Sequence, residues 1–433
     1  MPVDSPSAKI FTRDQHPISR KNIDREALKV MYRLRDAGYS AYLVGGGVRD
    51  LFLGKAPKDF DISTNARPGQ LRKLFRNSRI IGRRFRLVQV FFHGNKIVEV
   101  STLRCLSEFD IDGPDDVLPS NNTFGSLEED AFRRDLTINS LFYEIENYNV
   151  IDYVGGVEDL HNGIIRLVGD PARRIIRDPI RMLRVIRHAA RNNFTIEENT
   201  WAAISEHPEF LKLCPDSRVR DELLRDLQGG ASSGWVKLAI DSGIFQVLLP
   251  VYKKIIDKRL KDLLVSCFSV SDRLKAVGTQ LPEAFLFTIL LMPWAQKEFG
   301  VPDNQHKKAQ GGALVNKIRK GVDENLSHLN VKRSIRNTIA GLLVNLQVFI
   351  QHAGNDKWPR WLTRKSYFNE GLLFFQIYCE ATGGSQVPVR SIDIPKPAAK
   401  GRKYLRKRKS SPKGNRKPAF AASKGGVFGL RKK

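Results

Sequence analysis

The sequence predicts an α+β chain in three tracts: strands and helices mixed to about residue 168, helices through 169–386, and a basic tail from 387. Three observations carry this reading. Before 168, short apolar strands at 42–44, 85–92 and 96–103 alternate with amphipathic helical spacing. After 170 only helical spacing remains, with apolar patches at 235–249, 260–268, 283–294, 338–350 and 371–380. From 387 to 433, sixteen Lys and Arg face a single acid, Asp393, with Pro, Gly and Ser between them; such a composition cannot bury a core.

A chain of 433 residues has room for roughly two to four domains, and 41% hydrophobic content is that of a globular protein. Net charge is +26, more than half of it in the tail, which calls for a polyanionic partner. The tail lacks the apolar face a membrane anchor needs, so nucleic acid is the expected polyanion. Cys105, Cys214, Cys267 and Cys379 lie too far apart for a zinc motif or a disulfide framework and suit a reducing, cytoplasmic setting. The first twenty residues show no signal-peptide pattern. The apolar run 284–294 is too short to span a bilayer and contains Pro293.

Taken in order, residues 1–24, with Pro2, Pro6 and Pro17, read as a disordered or loosely docked lead-in. A helix over 23–37 is expected from Leu28, Met31, Tyr32 and Leu34, with Gly38 as its stop. The chain is organised around residues 42–62. An apolar strand, Tyr42-Leu43-Val44, enters Gly45-Gly46-Gly47, and a short helix leaves with Arg49 in its first turn. A second strand then brings Asp59 and Asp61 to one face, since side chains two apart on a strand point the same way. The glycines admit close backbone approach, and a helix start offers free N–H groups to phosphate. Two carboxylates beside such a cradle suit a pair of Mg²⁺ ions holding a triphosphate. The stretch matches neither a dinucleotide fingerprint nor a P-loop, because Gly54-Lys55 is followed by Ala56. Metal and arginine would therefore do the holding. The plain alternatives are a solvated turn at Asp59 and Asp61 and an ordinary strand-to-helix connection at 45–47.

A basic helix is expected at 68–76 and a hairpin around Gly94-Asn95. On its second strand Glu99, among Ile97, Val98 and Val100, is either a third metal ligand or an acid on a wet edge. Residues 106–130 read as a mobile surface loop. Over 128–142, helical spacing puts Phe132, Leu136, Asn139 and Tyr143 on one face and Arg134 and Asp135 on another. A turn at 152–156 and a short strand at 164–168 close the mixed tract. Asp178 and Pro179 then read as N-cap and first residue of a helix. Arg177, Arg181, Arg184, Arg187 and Arg191 form a stripe along that helix, a phosphate-contacting face or a solvated one. Trp358, Trp361, Tyr367 and Phe368 form either a core cluster or a base-stacking platform.

Gly46-Gly47-Val48-Arg49-Asp50, Asp59-Phe60-Asp61, Arg133-Arg134-Asp135-Leu136-Thr137-Ile138-Asn139 and Asp178-Pro179-Ile180-Arg181 closely resemble, in order and spacing, the class II nucleotidyltransferases of the polymerase-β superfamily. These are the bacterial CCA-adding enzymes and poly(A) polymerases. The resemblance implies a head with a small mixed sheet over 25–168, a helical neck over 169–235, a helical body over 236–386 and a basic tail over 387–433. It implies catalytic Asp59, Asp61 and Asp135, with Asp59 and Asp61 holding two Mg²⁺ ions; Glu99 stays a further candidate ligand on its strand position alone. Gly46, Arg49, Arg134, Arg184 and Arg187 would serve the triphosphate and ribose, and Asp178 and Arg181 the base edge. Arg177 stands where the family usually has an acid.

The segment Ile80-Ile81-Gly82-Arg83-Arg84-Phe85-Arg86-Leu87 and the basic extension resemble the poly(A) polymerase type. That points to AMP transfer from ATP to RNA 3′ ends, with Arg83, Arg84, Arg402, Lys403, Arg406, Lys407, Arg408 and Lys409 gripping RNA phosphates. The alternatives are CCA addition to tRNA and, from another class, an RNA-binding protein without catalysis. The family implies a cytoplasmic role in RNA turnover with decay-machinery partners, and we expect a monomer.

Overall fold

The computed structural model describes residues 7–82, 86–105, 124–301, 311–354 and 357–387. An eight-stranded mixed sheet forms the N-terminal half. Its strands are β1 (Lys9–Phe11), β2 (Tyr42–Val44), β3 (Asp61–Thr64), β4 (Ser78–Ile81), β5 (Leu87–Phe91), β6 (Ile97–Thr102), β7 (Phe142–Glu144) and β8 (Val150–Asp152), in spatial order β1-β8-β7-β2-β3-β6-β5-β4. The β3–β6 pair is parallel and sets Asp61 opposite Glu99; the other pairs in this sheet are antiparallel. Helices α1 (Arg25–Asp36), α2 (Gly46–Phe52) and α3 (Pro68–Leu74) lie in the same tract. Asp24 caps α1 by accepting from the Glu26 and Ala27 amides, and Val30, Met31 and Leu34 are wholly buried.

The lead-in is not loose along its described length. Lys9–Phe11 pairs with β8, and His16 and Ile18 are buried, so edge pairing and burial outweigh the local polar composition. The expected loop is also shorter on its C-terminal side. Ser126 and Glu129 form a reciprocal cap that starts α4 (Leu127–Phe132), while 106–123 lie outside the described residues. The expected helix over 128–142 stops at Phe132. The Thr137 amide donates to the Arg166 carbonyl and the Val168 amide to the Asp135 carbonyl, so this backbone pairs sideways instead of coiling. A 3₁₀ turn at Thr137–Asn139 then leads into β7.

From α5 (Gly156–Asn162) the chain passes to α6 (Pro171–Arg177), α7 (Ile180–Asn192), α8 (Glu198–Glu206) and α9 (Asp216–Leu227). Ile164–Ile165 pairs with Thr195–Ile196 in a separate two-stranded sheet. The longer helices beyond are Lys258–Ala276, Glu283–Phe299, Gly311–Asn325, Arg333–His352 and Phe368–Ala381. Pro293 removes a rung inside Glu283–Phe299, and the Tyr252 hydroxyl bridges the gap: it donates to the Leu290 carbonyl at 2.5 Å and accepts from the Trp294 amide at 3.2 Å. Half-buried Trp358 and Phe368 pack ring to ring on the buried Phe349 and Phe375, whereas Trp361 is half exposed beside His352. Among the described residues no helix is long and apolar enough to cross a membrane.

Candidate active site

The site grows from the turn after β2. Gly45 adopts φ +67° and ψ −137°, a region that favours glycine, and any Cβ there would stand 3.6 Å from Arg134 Nη1. At Gly47 a Cβ would come within 3.3 Å of the Asp59 carbonyl, so α2 and the segment carrying Asp59 touch through backbone. Strand β3 begins at Asp61; Asp59 precedes it and is exposed, so a loop as well as the strand alternation positions this acid.

Two charge clusters meet here. In the first, the parallel register puts Asp61 and Glu99 on one face of the sheet, and the Gln89 amide donates to Glu99 Oε1 at 2.9 Å. Crowding by protein around the Asp61 carboxyl, then the charges of Glu99 and Asp59, push it up to about 6, while Arg134 pulls the other way. Asp61 is exposed as a residue, so water tempers the first cause and the neighbouring carboxylates weigh more. Arg134 is itself fixed: Nε and Nη2 reach Asp130 Oδ2 at 3.1 and 2.8 Å, and the guanidinium lies 5.0 Å above the Phe142 ring. Burial pushes the Asp130 carboxyl up, but Arg134 and Arg133 outweigh it and hold it below the usual carboxylate range.

The second cluster is built on α7. Arg184 Nε stands 2.8 Å from Asp135 Oδ2. Burial alone would raise the Asp135 carboxyl, but Arg184, His188 and Arg181 bring it down to about 2. The expected third acid is thus ion-paired with an arginine of α7. Arg49 joins the two segments. Its Nη1 donates to Asn139 Oδ1 at 2.8 Å and lies 3.2 Å from His188 Nδ1, and its Nε and Nη2 donate to Asp50. Arg134 Nη1 donates to the Asn139 backbone carbonyl at 3.3 Å, so the arginine expected at the triphosphate and the one expected near the ribose meet at one residue.

The arginine stripe divides. Arg177 ends α6 and is not on α7. Arg181 donates to the Arg174 carbonyl at 3.0 Å, and the buried Arg174 side chain grips the carbonyls of Arg133 and Arg134. Arg187, expected at the nucleotide, is instead buried between Glu222 and Asp226 of α9, where two acids hold it away from solvent. Asp178 is not the N-cap of α7. It closes α6, and Arg218 lies against both its oxygens at 2.8 and 2.9 Å. Arg83, Arg84, Arg402, Lys403, Arg406, Lys407, Arg408 and Lys409 fall outside the described residues. A hollow of about 410 Å³ among Lys9, Thr137, Asp152, Arg166 and Gly169 is lined by none of the expected nucleotide residues.

Sequence reasoning missed Asn139, Arg174, His188 and Arg218. Asn139 closed a recognised motif without a role, and His188 directly follows Arg187; no pattern singled out Arg174 or Arg218.

A mixed sheet with acids on adjoining strands, a glycine turn and convergent arginines defines a nucleotidyltransferase head. The family described as "Poly A polymerase head domain" matches residues 41–166, and that described as "Probable RNA and SrmB- binding site of polymerase A" matches 193–256. Poly(A) polymerase I of Escherichia coli O157:H7 is 44% identical over 307 residues, 67% of this chain and 66% of that protein. The chain thus spans about two thirds of the length of this curated relative. A CCA-adding enzyme of Lactobacillus helveticus is 40% identical over 201 residues, 46% of this chain and 49% of the relative. A solved CCA-adding enzyme from Thermotoga maritima, complexed with tRNA, aligns at TM-score 0.51 and 19% identity over 85% of this chain and 94% of its own, a likeness of fold. The chain belongs to the class II tRNA nucleotidyltransferase/poly(A) polymerase family.

Proposed function

We propose that this protein is a template-independent poly(A) polymerase that adds AMP from ATP to RNA 3′ ends. The observation that carries the reading is the Asp59, Asp61 and Glu99 grouping beside Gly45, Arg134 and Arg49. The 44% identity to poly(A) polymerase I supports it over CCA addition, the second reading, which the 40% identical CCA-adding relative keeps in view.

The donor set fits Mg²⁺. It is all carboxylate oxygen, and the raised Asp61 carboxyl marks a local excess of negative charge that a dication would relieve. Among the described residues no three ligands form a ready-made metal site, so the acids around Asp61 are neighbours as charges rather than a closed cage. Asp59 and Asp61 would hold two such ions, with Glu99 as a further ligand. Bound there, Mg²⁺ supplies activation of the RNA 3′ hydroxyl and charge neutralisation at the departing pyrophosphate.

The chain's own residues do the rest. Gly46 lets the backbone near the phosphates, and Arg49 and Arg134 take phosphate charge in an orientation set by Asn139. Asp135 holds Arg184 toward the same slot. Asp178, steadied by Arg218, reads the base edge with Arg181. Arg83, Arg84 and the basic tail grip RNA phosphates without regard to sequence. We place head, neck, body and tail at 25–168, 169–235, 236–386 and 387–433. The protein works as a cytoplasmic monomer, its tails promoting RNA turnover alongside decay-machinery partners; the four free cysteines suit that compartment. Extension of one labelled RNA with each nucleoside triphosphate separately tests the reading. Long products from ATP alone are expected, and addition of only three residues drawn from CTP and ATP to a tRNA lacking its CCA end would replace it by the second reading.

A further inference from the structure

We propose that His188, on the neck helix α7, is a positioning residue that aims the Arg49 guanidinium at the nucleotide phosphates. The inference rests on the proposed function, in which Arg49 takes phosphate charge, and extends it to a side chain outside the recognised motifs.

Arg49 brings five N–H donors to the slot. Asp50 takes those of Nε and Nη2 on one side. Nη1 is left between two acceptors from different segments, Asn139 Oδ1 at 2.8 Å and His188 Nδ1 at 3.2 Å. For His188 to accept there, Nδ1 must carry its lone pair and the ring must be neutral, with its proton on Nε2. The surroundings favour that form: burial first, then the Arg49 cation, drive the basicity of the ring far below the usual histidine range, and the Asp135 carboxylate, itself paired with Arg184, offsets them only in part. A protonated ring would place a second cation against Arg49 and break the contact. His188 therefore serves as a fixed acceptor at neutral pH.

Helical spacing strengthens the assignment. Arg184 and His188 are four apart and share one face of α7. Arg184 from that face meets Asp135, and His188 meets Arg49. Arg187 and Arg191 turn the other way, to Glu222, Asp226 and the Arg225 carbonyl. One turn of the neck thus closes the phosphate side of the slot, and the direction of Arg49 depends on the neck being docked.

The test compares equilibrium binding of ATP and AMP by the full chain carrying His188→Phe, His188→Asn or Arg49→Ala. Phe keeps a ring of similar size but has no acceptor; Asn offers its amide oxygen near the position of Nδ1. His188→Phe is expected to weaken ATP about tenfold and leave AMP, which lacks the β- and γ-phosphates, within about twofold. His188→Asn is expected to restore ATP binding to within about threefold of wild type. Unchanged ATP affinity in His188→Phe, with ATP weakened in Arg49→Ala, overturns the inference alone. Equal weakening of ATP and AMP by His188→Phe overturns it too, because the loss would then be of structure rather than of aim. If Arg49→Ala leaves ATP affinity intact, the phosphate role of Arg49 fails and the inference falls with it.

Discussion

Replacing Arg187 separates a nucleotide-binding arginine from a structural one. Its guanidinium lies between Glu222 and Asp226, with side chains 9% exposed for Arg187 and 11% and 0% for the two acids. The Arg187→Met variant keeps much of the side-chain volume but takes this cation from both carboxylates, leaving Arg225 on Glu222 and the charge of Arg191 near Asp226. Breaking a buried ion pair from one side costs about 3–5 kcal/mol, mostly the penalty of the stranded charge. Burial already holds the Asp226 carboxyl above the usual range, and Arg187 works against that. Without Arg187 the Asp226 carboxyl binds its proton still more readily folded than unfolded. The destabilisation is therefore fully present above its folded pKa and shrinks as pH falls through it. Urea titrations at pH 8 and pH 5.5 measure the effect, with the larger loss expected at pH 8. Adding Asp226→Asn to Arg187→Met should recover a large part of it, which a double-mutant cycle reads directly. At a temperature where the variant stays folded, its KM for ATP should lie within about threefold of wild type, since no uniform binding has been removed. A tenfold rise in KM with unchanged urea midpoint would refute the reasoning and return Arg187 to the nucleotide.

Asp61→Asn and Asp59→Ala should each lower AMP incorporation by about a hundredfold or more while RNA binding in a filter assay persists; loss of both together would point to a folding defect. Asp135, held down to about 2 chiefly by Arg184, contributes stability that is complete above its unfolded value and lost as pH falls toward 2. The stability gap between wild type and Asp135→Asn should accordingly narrow below about pH 4 in acid-unfolding curves, and a constant gap would remove the ion pair from the account. Truncation after Val387, which is buried and donates its amide to Glu380 Oε2 at 2.7 Å, keeps the body intact and removes the basic segment. RNA affinity should drop and its dependence on salt should flatten, and an unchanged salt slope would contradict the phosphate-grip assignment.

Much of this architecture was legible because local chemistry and tertiary structure agree. The Tyr42–Val44 strand, the glycine turn, the helix carrying Arg49 and the Gly94-Asn95 reversal form where their residues favour them. The misreadings share a cause: partners far away in sequence. Lys9–Phe11 became a strand because β8 offered it a free edge, and 133–139 left the helix because 166–168 offered pairing. The arginine stripe looked uniform along α7, yet which arginine meets an acid depends on α9, some forty residues on. The acids proposed for the site were picked out by their motifs. Their orienting neighbours Asn139, Arg174 and Arg218 were not, since a side chain that aims another carries no periodic signature.

The parallel β3–β6 ladder has a consequence for how the molecule comes into being. Its partners at 61 and 99 are separated by the whole β4–β5 excursion, so this ladder closes a longer loop than the adjoining β5–β6 hairpin. Closing it brings acids that repel one another face to face. A ligand that calms their repulsion, binding the folded state alone, would draw folding toward completion by mass action.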